Sequence, residues 1–464
     1  MSISKKTQGD VDARTAAVLQ AAQYAAQYLN GIGARSVAPS PLAAAGMEPL
    51  RGPLPEESTP PEIVLEQLYA SGSPMTIANS GGRYFGFVNG GTVPAAMGAG
   101  VLVNAWDQNA GLQILSPVSA QLEETALEWV RELLGLPAGT GGAVVTGATM
   151  ANFCGLAAAR HALLERAGWN VEEDGLFGAP ELHVLVGDEV HTSLTKALSL
   201  LGLGKSRVTR IPVDGQGRMR ADALPPMNER TILCLQAGNV NTGAFDPADA
   251  ICPRALSAGA WIHVDGAFGL WAATSSQYRH LVEGYDLADS WATDAHKWPN
   301  VGYDCGVAMV RDPGHLKAAM SMTAAYLAFG EKREPSHHNP EMSRRARGVE
   351  LWAALRSLGR EGMASIVERT CAHARRFAEG LRAAGYAVLN EVVINQVLVS
   401  FGSAEKTLEV VRRVQEDGTC WCGSTVWQGQ TAMRISVSSW ITSDADVELS
   451  LAAMLRVADA VEKS

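Results

Sequence analysis

Between about Gly90 and Gly359 the chain alternates short apolar runs with segments of helical periodicity. The runs fall at 143–146, 182–187, 231–235, 261–265 and 305–310. Short runs that are apolar throughout suit strands buried on both faces, and helices between them supply the covering layers. The alternation predicts an α/β fold with a mostly parallel sheet and helices on both sides. In such sheets ligands bind beyond the C-terminal ends of strands, so the residues just after each run are the place to look for chemistry.

At 464 residues the chain exceeds one usual domain. Three regions separate: an N-terminal helical segment, 1–89; a large domain, 90–360; and a small C-terminal α/β domain, 361–464. In the first, residues 11–29 are Ala-rich and helical, a Pro- and Gly-rich loop runs from Gly31 to Ser58, and Thr59-Pro60-Pro61-Glu62 reads as a capping box. These helices bury little against themselves and need another surface to clasp. In the second, Ser116-Pro117 opens a helix with Leu122, Ala126, Trp129 and Leu133 on one face. The third has a long helix to about Ala384, apolar runs at 396–401 and 432–437, and a helix opened by Ser443.

The formal charge of −10 argues against a nucleic-acid partner, which would demand a basic face. No uninterrupted apolar stretch reaches bilayer-spanning length, and no signal-peptide core follows the charged N-terminus, so the expected location is cytoplasmic. Seven cysteines, an odd number, suit a reducing compartment. The one close pair, Cys420 and Cys422, lacks the second pair or histidine cluster of a zinc site, and no metal is expected.

Chemistry gathers at the ends of the runs. Asp265 ends one of them, in His263-Val264-Asp265-Gly266-Ala267. Lys297 follows 32 positions later, in Asp294-Ala295-His296-Lys297-Trp298. A lysine amine can condense with an aldehyde. A carboxylate can keep a pyridine nitrogen protonated, which makes the ring a better electron sink. Alone, each would be a surface charge or a turn residue; together they suit pyridoxal 5'-phosphate (PLP). Val144 to Asn152 reads as strand, small-residue turn and helix, which puts backbone N–H groups and the Thr149 hydroxyl where an anion binds. His191, after the run at 182–187, can stack on an aromatic cofactor or cap a helix.

With these residues in place the chain resembles the group II PLP-dependent amino-acid decarboxylases, the family of the aromatic-amino-acid and glutamate enzymes. The matching stretches are Gly147–Asn152, Asp188–Ser193, His263–Phe268 and Asp289–Trp298, in the family's order and approximate spacing. The resemblance implies fold type I, that of aspartate aminotransferase, with a seven-stranded-type sheet. It implies that Lys297 carries the cofactor covalently, Asp265 pairs with the ring nitrogen, Ala267 packs under the ring and His191 stacks over it. Ala148, Thr149 and His296 would hold the phosphate. Asn239 or Asn241 falls where the family has a polar cofactor contact. Phe85, Phe87 and Asn89 would approach the substrate, and Trp106, as an aromatic side chain, is a further candidate for the pocket wall. A homodimer with sites near the interface is implied as well.

The expected activity is decarboxylation of an L-amino acid, aromatic or bulky and apolar, to the amine and carbon dioxide. Arg434, in Met433-Arg434-Ile435-Ser436, keeps transamination open, because an arginine in the small lobe is how aminotransferases of this fold hold the α-carboxylate. The same fold also accommodates aldehyde synthesis, Cα–Cβ cleavage and a non-catalytic binding role. The family usually places a tyrosine on a mobile loop to reprotonate Cα. The corresponding stretch here, Leu327–Met342, has none, and one of His337 and His338 is the expected proton donor.

Overall fold

The computed structural model describes residues 3–321 and 332–463, with side chains from residue 13. Tyr326 and the first five residues of the expected lid lie outside the described residues.

Seven strands form the main sheet: β1 (Gly141–Val145), β2 (His183–Gly187), β3 (Thr209–Ile211), β4 (Thr231–Gln236), β5 (Trp261–Asp265), β6 (Ser290–Asp294) and β7 (Gly306–Val310). Their order is β1-β7-β6-β5-β4-β2-β3, and β7 alone runs against its neighbours. The chain thus has the α/β, mostly parallel architecture that the alternation predicts. Two strands escaped the apolar pattern. Strand β6 reads Ser-Trp-Ala-Thr-Asp, and its Ser290 and Thr293 are buried by hydrogen bonding rather than by apolarity. Strand β3 is a three-residue edge with two exposed side chains.

Helix Ala148–Arg166 packs over β5, β6 and β7. Its buried face is built from small residues, including Ala151, Gly155, Ala158 and Ala162, which lets the helix lie close to the sheet. Gly155 is required there. A Cβ at this position would stand 2.7 Å from the His263 ring of β5. On the other face, helix Pro117–Leu133 packs against helix Arg347–Ala383, with Trp129 stacked on Trp352. Helix Arg347–Ala383 breaks at Gly359, which adopts φ 60°, ψ −171°.

Beyond that break, β8 (Ala387–Val388), β9 (Gln396–Ser400), β10 (Gly423–Trp427) and β11 (Gln430–Ser436) form an antiparallel sheet in the order β10-β11-β9-β8. Helices Ala404–Asp417 and Asp444–Glu462 pack with it, the latter opened by a complete Ser443/Asp446 capping box. Cys420 and Cys422 are free thiols in this buried core. At the N-terminus, helix Ile3–Gly31 is longer than the sequence pattern suggested. The capping box expected at Thr59 does not form. Helix Pro61–Gln67 is capped by Pro60, which has no side-chain acceptor, one residue later than Thr59. No described helix is long and apolar enough to cross a membrane.

Candidate active site

The C-terminal ends of β1, β2, β4, β5 and β6 open into one cavity of about 670 Å³. Ala148, Thr149, His191, Asp265, Ala267, His296 and Lys297 all line it, and Phe87, Asn89 and Arg434 reach it from other segments. Residues that are distant in sequence meet here because β5 and β6 are adjacent parallel strands with the same end uppermost.

Asp265 ends β5 and is buried. Its Oδ2 accepts the Asn152 amide at 3.1 Å. Burial pushes its pKa up, against His191, Lys297 and the Asn152 hydrogen bond, which pull it down. A cation at the cavity end of this carboxylate would relieve that burial cost.

Behind Asp265 the hydrogen bonds continue inward. Asn152 Oδ1 lies 2.8 Å from His263 Nε2, His263 Nδ1 lies 2.8 Å from Ser290 Oγ, and Ser290 Oγ accepts the Trp261 indole N–H at 2.9 Å. Burial drives the His263 pKa down to about 3, so the ring is neutral. Because Asn152 gives its amide to Asp265, its carbonyl must accept, so His263 carries its proton on Nε2. Every donor in the chain Trp261–Ser290–His263–Asn152 then points towards Asp265.

Lys297 follows β6. Its Nζ stands 3.0 Å from Asp294 Oδ2 and 5.7 Å from the centre of the Phe268 ring. The other oxygen, Asp294 Oδ1, accepts the Ala148 N–H at 2.5 Å, at the start of helix Ala148–Arg166. His296 Nε2 is 3.5 Å from the same Oδ1. A buried anion thus already sits at the helix N-terminus, where backbone N–H groups and the helix dipole favour one. Tightness of the turn depends on Gly306 of β7, where a Cβ would lie 2.4 Å from the Gly147 backbone.

His191 does two jobs at once: it lines the cavity and caps helix Thr192–Leu200, its Nδ1 accepting the Ser193 N–H at 3.2 Å. Burial lowers its pKa, with Asp265 opposing. Arg434, on β11, donates to the Val240 carbonyl and Asn241 Oδ1, both at 3.3 Å. Among the described residues no carboxylate stands within ion-pairing distance of it. Tyr303 stacks on His296 at 4.3 Å between ring centres and donates to Asn89 Oδ1.

Six expected residues are elsewhere. Asn239 is buried in its own turn, with Oδ1 accepting the N–H groups of Asn241 and Thr242. Asn241 bonds Arg434 and Thr425 instead of lining the cavity. Phe85 is fully buried in the small-sheet core, edge-on to Phe377. Trp106 is exposed at the end of helix Pro94–Trp106. His337 and His338 lie in a 3₁₀ turn, Pro335–His338, packed against helix Pro313–Met320 and β1. His338 is buried, with Nδ1 3.2 Å from the Glu334 carbonyl, and burial lowers its pKa to about 4. In this chain neither histidine reaches the cavity. Conversely, Asp294, Tyr303, Gln236 and Phe268 line the cavity although no sequence motif assigned them to it. Asp294 opens the Lys297 motif and Tyr303 follows it closely in sequence, and that proximity was the available signal.

Residues 78–402 match the family model described as the pyridoxal-dependent decarboxylase conserved domain. The chain belongs to the pyridoxal-dependent decarboxylase family. It is 27% identical to tryptophan decarboxylase 1 of Oryza sativa subsp. japonica, over 90% of this chain and 88% of that protein. It is 29% identical to an acidic amino acid decarboxylase of Mus musculus, over 65% of this chain and 56% of that protein. The fold is that of the crystal structure of Oryza sativa TDC with PLP and tryptamine, with a TM-score of 0.89, 22% identity, and 97% and 98% of the two chains covered. As a member of this family the chain is a PLP-dependent carboxy-lyase acting on an amino acid, with pyridoxal phosphate as cofactor. The cavity suits that cofactor: an amine, a buried carboxylate in want of a cation, and an anion site at a helix N-terminus face the same space.

Proposed function

We propose that this enzyme decarboxylates an aromatic or bulky apolar L-amino acid to its amine, working as a homodimer. The observation that carries the site reading is the convergence of Lys297 and Asp265, from the ends of adjacent strands, on the cavity that also receives the start of helix Ala148–Arg166.

In this reading Lys297 would hold the cofactor covalently, Asp265 would pair with its ring nitrogen, Ala148, Thr149 and His296 would hold its phosphate, and His191 and Ala267 would hold its ring. When bound, pyridoxal phosphate supplies the electron sink for the pair left at the substrate Cα. Asn152 and His263 keep Asp265 aimed and charged. The Tyr303 hydroxyl, on the cavity wall beside His296, is the proton donor to Cα in place of a loop tyrosine.

Phe87, Val240 and Tyr303 give the cavity apolar and aromatic wall, which supports an aromatic or bulky side chain. A second reading rests on Arg434. A half-buried guanidinium with no carboxylate partner among the described residues supports an acidic side chain, or an α-carboxylate held as in a transaminase. Support for the dimer comes from exposed apolar side chains on and after helix Pro94–Trp106: Val101, Leu102, Trp106, Ile114 and Leu115. Incubation with a panel of L-amino acids, reading carbon dioxide, amine, aldehyde and keto acid together, separates these readings. Amine from tryptophan, tyrosine, phenylalanine or leucine supports the first. Turnover confined to acidic amino acids, and lost in Arg434→Leu, supports the second.

A further inference from the structure

Away from the cavity, His161 and Glu165 stand one turn apart on helix Ala148–Arg166, so their side chains leave the same face. His315, from helix Pro313–Met320, meets them across the groove between the two helices. One ligand atom from each lies within 4.8 Å of the other two. His161 Nε2 is 3.6 Å from Glu165 Oε2. The opposite nitrogen, Nδ1, is 2.8 Å from Glu172 Oε2.

We propose that His161, Glu165 and His315 form a binding site for a divalent transition metal of the zinc class, which clamps the two helices together. Zinc bonds to imidazole and carboxylate measure about 2.0–2.2 Å, so neighbouring ligand atoms in a tetrahedral site stand roughly 3.3–3.5 Å apart. The His161–Glu165 pair already approaches that spacing. Closing the rest needs about an ångström of side-chain movement, which the exposed Glu165 is free to make. Glu172 occupies the position of the carboxylate that orients a metal-bound histidine: it accepts a hydrogen bond from Nδ1–H and so leaves the Nε2 lone pair for the metal. The fourth position is open to water.

A plain ion-pair network holds His161 between two carboxylates, but it ties His315 only at its outer limit of distance. The two imidazole rings lie 5.9 Å apart, and the nearer carboxylate to His315, Asp312, is 3.9 Å away on its own helix. Trp261 meets the His315 ring in an edge contact at 5.8 Å. Two half-buried imidazoles facing one carboxylate make a nitrogen and oxygen donor set of the kind that zinc-class ions take. The sequence pattern did not reveal the site because its ligands come from segments about 150 residues apart.

The test is equilibrium dialysis of the untagged, PLP-loaded enzyme against zinc chloride, with thermal melting in parallel. The expected result is one tightly held zinc per chain and a Tm raised by about a few degrees at saturating zinc. His161→Ala and His315→Ala should each lose that zinc and the Tm response while keeping the cofactor absorbance and turnover. Glu172→Gln should weaken binding about tenfold to a hundredfold. Absence of bound zinc in the wild-type enzyme overturns the proposal. So does zinc held equally well by His161→Ala and His315→Ala, which would place the ion elsewhere, including in the PLP cavity.

Discussion

Asp294 bridges Lys297 and the start of helix Ala148–Arg166: one carboxylate oxygen lies 3.0 Å from Lys297 Nζ, and the other accepts the Ala148 N–H. In the proposed site the carboxylate occupies a donor that the cofactor phosphate would use, and it does so with the same sign of charge.

This relationship predicts that Asp294→Asn binds PLP more tightly. Removing one of two neighbouring anions in a buried site is worth on the order of 1 kcal/mol, or about fivefold in affinity. Fluorescence titration of the cofactor-free protein with PLP measures it. Weaker or unchanged binding would mean that Asp294 supports the cofactor through Lys297 more than it competes with the phosphate.

His263 is the residue through which the core acts on Asp265. Replacing it with phenylalanine leaves Asn152 Oδ1 without its donor, so the amide is no longer held with its N–H groups towards Asp265. Turnover should fall roughly tenfold to a hundredfold from misaimed catalytic groups, and stability by about 1–3 kcal/mol from the unsatisfied buried acceptor. The acid limb provides a separate check. The unfolded chain takes up a proton on this histidine near pH 6.5, whereas the folded ring stays neutral down to about 3. Wild-type stability therefore falls as pH drops through that window, and His263→Phe should remove about 1.4 kcal/mol per pH unit of the slope between pH 6 and 4. Identical slopes in unfolding titrations would contradict the neutral buried ring.

Tyr303→Phe removes the proposed proton donor but keeps the stack on His296. Amine formation should slow, or aldehyde and ammonia should appear in its place, with cofactor binding unchanged. The double variant His337→Ala/His338→Ala should keep the wild-type product ratio, since these histidines sit in a packed turn away from this chain's cavity. Product analysis by mass spectrometry decides the matter, and the opposite pattern would return the role to the loop histidines.

The exposed apolar side chains from Val101 to Leu115 predict that Leu102→Glu/Ile114→Glu shifts the assembly from dimer to monomer. Light scattering at matched concentrations measures the shift. A wild-type enzyme that is active as a monomer would contradict the proposed dimer.

What was legible in the sequence lay at strand ends. Asp265 and His191 each come at the end of an apolar run, and in a parallel sheet such positions share one edge; Lys297 follows β6, which the apolar pattern missed, and was legible through its own motif. What was hidden depends on contacts between distant segments. Asn152 meets Asp265 and His263 only because helix Ala148–Arg166 lies across β5, and Asp294 meets Ala148 only because β6 and the β1 turn are brought side by side. Misplaced residues share a cause too. Asn239 is polar enough for a cofactor contact, yet its own turn consumes its acceptor, and Phe85 is aromatic enough for a pocket wall, yet the small-sheet core absorbs its ring. Polarity and aromaticity mark turn and core positions as readily as pockets.

The central claim is that Lys297 carries a PLP-dependent decarboxylation in this cavity. Its most direct test is release of carbon dioxide from a panel of carboxyl-labelled L-amino acids by wild type and by Lys297→Ala, with far-UV circular dichroism as the folding control. The account predicts carbon dioxide and amine in equal amounts from at least one aromatic or bulky apolar amino acid, and no release above background from the folded variant. Undiminished release by Lys297→Ala would contradict it.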